Sequence, residues 1–119
     1  ETFTPEHAQK IESNRKGGMR TGWQVTDLRL HTWRLQSVLD AYHARHIDLL
    51  LVSVEGHELQ VLQSLDFSIT DIKVIQVQIH DDQETIGDIS RLLYKAGYRY
   101  PNRIGSFLYY SRKDFGTLW

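Results

Sequence analysis

The 119-residue sequence has no cysteine and only two prolines. Without cysteine, disulfide bonds and thiolate chemistry are excluded, and a metal site would depend on histidine and carboxylate ligands. Its 15 acidic and 14 basic side chains nearly balance, so the chain lacks the basic surface that general nucleic-acid binding requires. No apolar run approaches the roughly 20 residues of a membrane-spanning helix. What remains is the composition of a globular domain.

The pattern of apolar residues alternates between strand and helix, along a chain short enough to form a single core. The start signal Thr4-Pro5-Glu6 predicts a helix within an N-terminal surface segment, residues 1–22. Residues 23–119 are predicted to form an α/β domain. Its first three strands are predicted at residues 24–31, 48–54 and 72–79.

Helical spacing separates these strands and follows the last of them. Apolar residues three and four apart predict helices over residues 35–42, 55–65 and 86–93, the last one stopped by Gly97. Two short runs, residues 98–100 and 106–111, predict a closing hairpin. This order of elements predicts a mainly parallel sheet flanked by helices, with a C-terminal antiparallel hairpin.

Residues 49–63, LLLVSVEGHELQVLQ, change from an apolar strand into a helix. The carboxyl ends of neighbouring parallel strands meet at one crevice, where α/β proteins bind ligands. Five side chains capable of acid–base chemistry follow this strand and the next one: Glu55, His57, Glu58, His80 and Asp81. One interpretation is therefore a general base or a site where histidine and carboxylate side chains bind a metal.

Helix capping is the alternative interpretation of the same turn. Ser53 or Glu55 would satisfy free N–H groups of the helix, and Glu58 would stabilise its positive end. Gly56 would allow a tight turn. Capping is favoured because no ligand spacing such as His-Glu-x-x-His occurs, and no metal ligands are predicted.

Three blocks, IDLLLVSVEGHELQVLQSL, IKVIQVQIH and LLYKAGYR, resemble the C-terminal half of FkbM-type methyltransferases, which use S-adenosylmethionine. The resemblance covers residues 35–110 and implies a partial class I methyltransferase fold, which is Rossmann-like. The strand order of that class is 3-2-1-4-5-7-6. By analogy, residues 24–31 would be strand 3, residues 48–54 strand 4 and residues 72–79 strand 5. The closing hairpin would supply strands 6 and 7.

The cofactor-binding part of the family pattern is not found in this sequence. Strands 1 and 2 have no counterpart, and neither has the acid that ends strand 2 and binds the ribose. The glycine-rich turn after strand 1, which holds the cofactor through backbone N–H groups, is also missing. Lys16-Gly17-Gly18-Met19 follows a predicted helix instead of a strand. We therefore expect no S-adenosylmethionine binding by this chain alone, and binding only if the missing half is supplied.

Three acidic positions of the family pattern carry neutral side chains here. Ser53 replaces the Asp that closes strand 4, Gln78 replaces the Glu near the end of strand 5, and Gln36 replaces an Asp that opens a helix. Carboxylates at strand ends bind cations, accept protons or hold a substrate hydroxyl. Serine and glutamine side chains form hydrogen bonds, but they do not replace a carboxylate in binding cations or accepting protons. The substitutions indicate a degenerate site.

Three functions remain open on this basis. The first is a methyltransferase-like domain without catalysis, which serves as a structural or protein-interaction module. The second is the C-terminal part of an active S-adenosylmethionine-dependent O-methyltransferase. In that case Glu55, His57 and His80 would be catalytic on the acceptor side, and Ser53, Gly56 and Gln78 would be degenerate cofactor-binding positions. The third is an α/β assembly subunit whose crevice binds nothing.

The predicted strand at residues 48–54 also raises a question of pairing. If strands 1 and 2 are missing, this strongly apolar strand has lost its neighbour, and an open strand edge promotes aggregation. Either residues 24–31 pair beside it, or another protein chain covers it by strand addition. We therefore predict a protein partner at the open sheet edge.

Overall fold

The computed structural model describes residues 24–115, so the predicted N-terminal helix lies outside the described residues. The chain divides between Thr32 and Trp33. In the described part of the first unit, residues 24–32 contain neither helix nor strand. The strand predicted at residues 24–31 is therefore wrong. Its apolar side chains are 58–70% exposed, so burial does not favour an extended ladder there: Val25, Leu28 and Leu30.

The second unit, from Trp33 onward, alternates helices and strands as far as Lys95. The described elements are α1 (Leu35–Ala41), β1 (His46–Val52), α2 (Glu58–Gln63), β2 (Asp71–Gln78), α3 (Gln83–Lys95), β3 (Asn102–Ile104) and β4 (Phe107–Ser111). The predicted helix and strand patterns from residue 35 to residue 97 are thus confirmed in kind. The closing hairpin is confirmed too, but its first strand begins at Asn102, later than predicted, and Tyr98 forms only an isolated bridge with Arg112.

The four strands form one sheet in the order β1-β2-β4-β3. β1 and β2 are parallel, whereas β4 is antiparallel to both β2 and β3. The expected mainly parallel sheet is therefore wrong for the described residues, because the strand that should have added a second parallel pair does not form. The α/β class, the flanking helices and the antiparallel hairpin are confirmed.

One face of this sheet carries the core. Strand register places Ile75 beside Tyr110 and Val77 beside Leu108, and each of these side chains is at most 5% exposed. They pack in one cluster with buried side chains of α2 and α3, namely Leu62, Ile89 and Leu93. Burying side chains of this size is worth roughly 1.5–3 kcal/mol each, so this cluster fixes how the two helices lie on the sheet.

The opposite face is less covered towards the β1 edge. Residues along a strand point alternately to the two faces, so Leu49 and Leu51 lie on the face opposite Leu50 and Val52. Val52 is 3% exposed, but Leu49 is 51% and Leu51 is 60% exposed. The sheet therefore has a well-packed helix-bearing face and an apolar, exposed margin along β1.

The loop after β2 is fixed at both ends. The N–H group of Ile79 donates to the carbonyl of Ser106 at 2.8 Å, which extends the sheet by one residue. Asp82 caps α3 by accepting from the N–H groups of Glu84 at 3.1 Å and Thr85 at 3.3 Å. Hydrogen bonds from Thr85 hold the pKa of Asp82 below its usual value. The loop that carries His80 is thus held between a strand and a capped helix.

Candidate functional site

Ser53 and Gln78 meet at the carboxyl ends of the two parallel strands. The register pairs Val52, the last residue of β1, with Val77. Ser53, which follows β1, therefore lies beside Gln78, the last residue of β2. The hydroxyl of Ser53 donates a hydrogen bond to the side-chain carbonyl of Gln78. The two positions where the resemblance implies acids therefore face each other as a neutral, mutually bonded pair.

The chain turns sharply between β1 and α2. Glu55 and Gly56 both adopt left-handed backbone conformations, with φ of 53° and 106°. Glycine reaches this region without steric cost, and a non-glycine residue does so at some expense. These two consecutive residues reverse the chain direction between the end of β1 and the start of α2. This explains why glycine follows Glu55 in the sequence.

Glu58 holds this turn from the first position of α2. Its carboxylate accepts from the N–H group of Val54 at 3.1 Å and from that of Gly56 at 3.1 Å. The side chain is only 3% exposed. A buried carboxylate requires such charge-assisted hydrogen bonds, which are also the stronger ones in proteins. The contacts tie the turn to the helix that follows it.

The capping interpretation needs correction at this turn. The N-cap residue of α2 is His57, and its side chain makes no capping hydrogen bond. The hydroxyl of Ser53, which was expected to cap, bonds to Gln78 instead. Glu58, which was expected to stabilise the positive end of the helix, also bonds the loop amides directly.

His80 approaches the same carboxylate from the neighbouring strand. Its Nε2 atom lies 3.7 Å from Oε1 of Glu58, and its side chain is 41% exposed. Of the five side chains expected at this crevice, the structure brings Glu58 and His80 together; the set Glu55, His57 and His80, expected to be catalytic if the domain is active, does not include Glu58. The available signal was positional: an acid at the first helical position, two residues after a turn glycine, can reach back to the turn.

Gln36 lies in a different part of the molecule. It is buried in α1, where its side-chain amide donates to Thr70 at 3.1 Å and accepts from the N–H group of Asp66 at 2.8 Å. Thr70 immediately precedes β2, so it lies about 25 Å along that strand from Gln78. Gln36 joins α1 to the loop before β2. Only two of the three neutralised acidic positions share the crevice.

Within residues 24–115, no cluster of three or more His, Asp or Glu side chains is arranged to hold a metal ion. Nor does this part of the chain include a helix with the length and apolar character needed to cross a membrane. Among the described residues, the contacts seen at these strand ends are those of the His80 imidazole with the buried Glu58 carboxylate and of Ser53 with Gln78.

The family relationship of the chain follows from its sequence match. The family model for the Methyltransferase FkbM domain matches residues 2–100. Since this match spans most of the chain, the protein belongs to the FkbM methyltransferase domain family. The match begins well before residue 35, where the resemblance of individual motifs begins. No curated protein and no solved structure matches the chain.

A pair of glycine substitutions tests the geometry of the turn. We expect Gly56→Ala to destabilise the protein by about 1–2 kcal/mol, because an L-residue is strained at a φ of 106°. Gly87→Ala, inside α3, is expected to stabilise by about 0.5–1 kcal/mol, since the new methyl group would meet only the flexible guanidinium of Arg91, at 3.5 Å. Urea unfolding measures both changes. Effects of the same sign would contradict the left-handed turn.

Proposed function

We propose that this FkbM-family domain does not transfer methyl groups by itself and serves as a structural or protein-interaction module. The hydrogen bond between Ser53 and Gln78 carries the proposal. At the two strand ends where the family pattern has carboxylates, each side chain satisfies the other. A substrate bound here would have to break this hydrogen bond. The two freed side chains would then offer it neither a negative charge nor a proton acceptor.

The buried carboxylate that follows β1, that of Glu58, does not compensate for that loss. Glu58 is committed to the N–H groups of Val54 and Gly56. Without the Glu58 carboxylate, these two N–H groups would lose their acceptor. A buried donor left without a partner costs roughly 1–3 kcal/mol. Glu58 therefore supports the turn, and its bonding to both amides favours a structural role.

The strand order supports a methyltransferase-like arrangement of the sheet. With β1, β2, β4 and β3 assigned as strands 4, 5, 7 and 6, the order of this sheet corresponds to the last four places of 3-2-1-4-5-7-6. The parallel pair followed by an antiparallel hairpin also agrees with that half of the class I fold. The described sheet would then be the acceptor-side half.

The turn at residues 53–57 does not fit the role of a cofactor loop. A loop that binds a nucleoside cofactor presents free backbone N–H groups at a helix start. Here Glu58 accepts from the N–H groups of Val54 and Gly56. The glycine-containing run at residues 16–19 lies outside the described residues, and its sequence follows a helical pattern. These observations support the expectation that the chain alone does not bind S-adenosylmethionine.

Isothermal titration calorimetry of the purified 119-residue chain with S-adenosylmethionine tests this expectation. We expect no measurable heat of binding, because the amides nearest to the strand end are already bonded. An intact methyltransferase in the same buffer is the positive control. A dissociation constant in the micromolar range would overturn the proposal that the domain is not competent by itself.

An interaction role is supported by the contrast between the two edges of the sheet. β1 has seven residues without proline, lysine or arginine, and among the described residues its one strand neighbour is β2. β3, at the other edge, has three residues, contains Arg103 and follows Pro101. Short strands, proline and positive charge protect edges from pairing. The β1 edge lacks these features and is the place where a partner strand would add.

Multi-angle light scattering across a concentration series tests the β1 edge. We expect the chain to associate as its concentration rises, and Leu51→Lys to reduce that association by placing a charge on the exposed margin. Ile104→Lys on β3 is the matched control, because Ile104 is 58% and Leu51 is 60% exposed. A chain that stays monomeric at the highest concentration, or that responds equally to both substitutions, would contradict the proposed edge.

The alternative is the C-terminal part of an active O-methyltransferase. It is favoured by one observation, which is that an imidazole still lies at the crevice beside a buried carboxylate. Such a pair suits the acceptor side of a transfer reaction. If this alternative holds, adding the N-terminal half of such a domain would produce S-adenosylmethionine binding that neither half has alone.

A further inference from the structure

Glu58 faces one particular nitrogen of the His80 ring. Nε2, and not Nδ1, is the ring nitrogen that faces the carboxylate, at 3.7 Å from Oε1. Glu58 is 3% exposed and His80 is 41% exposed, so the contact joins a buried acid to an imidazole that solvent partly reaches. We call Nε2, which approaches the carboxylate, the inner nitrogen, and Nδ1 the outer nitrogen.

Both partners of this contact are held by their own backbones. Glu58 is the first residue of α2 and bonds the turn before it. His80 lies between two fixed points, since the N–H group of Ile79 donates to Ser106 and that of Asp82 donates to the carbonyl of His80 at 2.6 Å. The approach of the two side chains is thus set by the ends of β1 and β2.

We propose that Glu58 is a positioning residue that holds His80 in the Nε2-protonated tautomer, leaving Nδ1 at the crevice as an acceptor for a neutral hydroxyl group of a ligand. This inference does not depend on whether the domain transfers methyl groups. It concerns which nitrogen of the ring is available at the carboxyl ends of the strands.

The tautomer follows from the chemistry of the two groups. An ionised carboxylate only accepts hydrogen bonds, so the ring nitrogen facing it is favoured as an N–H donor. At 3.7 Å the contact is longer than a hydrogen bond, but the charge of the buried Glu58 still attracts an N–H dipole at this distance. In a neutral imidazole the other nitrogen then carries the lone pair.

The outer nitrogen is available for a ligand. Nδ1 of His80 is not the nitrogen that approaches Glu58, and the side chain is partly exposed. A fixed lone pair at this place recognises a neutral hydrogen-bond donor, such as a hydroxyl group, and it would reject a second acceptor in the same position. The neighbouring Ser53–Gln78 pair adds no charge that would favour an ionic ligand instead.

Two other histidines serve as internal references. His43 is exposed and its ring contacts none of the acids described above, so its two neutral tautomers should exchange freely. His46 presents the opposite nitrogen to an acid, with Nδ1 lying 3.4 Å from Oδ2 of Asp71. Its side chain is 84% exposed, so solvent weakens that preference. The three rings should therefore give distinguishable signals.

Long-range ¹H–¹⁵N correlation spectra of the ¹⁵N-labelled chain, recorded at about pH 8 where an unperturbed imidazole is neutral, test the proposal. We expect His80 to show the limiting nitrogen shifts of the Nε2-protonated form, and His43 to show averaged shifts. In Glu58→Met, which removes both acceptor oxygens, the shifts of His80 should move to the averaged values of His43.

Glu84→Gln is the matched control, because Glu84 is an exposed acid in the first turn of α3 and makes no contact with the imidazole. It should leave the His80 shifts unchanged. The wild-type spectrum decides the matter even if Glu58→Met does not fold. Averaged shifts for His80 in the wild type, a predominantly Nδ1-protonated ring, or unchanged shifts in folded Glu58→Met would each overturn the proposal.

Discussion

The parallel pairing of β1 with β2 is the contact on which the rest of the site depends. It aligns the carboxyl ends of the two strands in a register that runs from His46–Asp71 to Val52–Val77. That register places Ser53 against Gln78 and brings the helix after β1 close to the loop after β2. A slip of one residue would turn every side chain of β1 to the opposite face and would separate this pair. The neutral pair and the Glu58–His80 contact are therefore two consequences of one alignment.

Much of the fold from residue 35 onward could be predicted from the sequence, because the decisive patterns are strong and local. The apolar run in β1, the β-branched run in β2 and Gly97 after α3 each have one clear structural meaning. Residues 24–31 show the limit of that reasoning. Their alternation was imperfect, and a strand forms only where a neighbouring strand and a buried face stabilise it. No single sequence shows whether that neighbour is present.

The candidate site was less predictable, because its geometry depends on long-range contacts. Sequence position indicated that residues following β1 and β2 would lie at one edge, and the structure places Ser53, Gln78, Glu58 and His80 there. It could not indicate that Glu58 would reach back to the turn. Nor could it indicate that Gln36, a third neutralised position, would be buried among hydrogen bonds at the other end of the strands. Substitutions that look alike in a sequence thus lie in unrelated structural environments.

The most direct test of the account is a double-mutant cycle of Ser53→Asp and Gln78→Glu, with stability measured by urea unfolding against pH. At pH 7 we predict that the double variant loses more unfolding free energy than the sum of the losses in the two single variants. The excess should be about 1 kcal/mol or more, because two carboxylates would then lie in contact. One carboxyl pKa would be raised in the folded state, so this loss should disappear as the pH falls towards about 4, and millimolar Mg²⁺ should reduce it at pH 7. Additive effects that depend on neither pH nor Mg²⁺ would contradict the placement of these two side chains against each other.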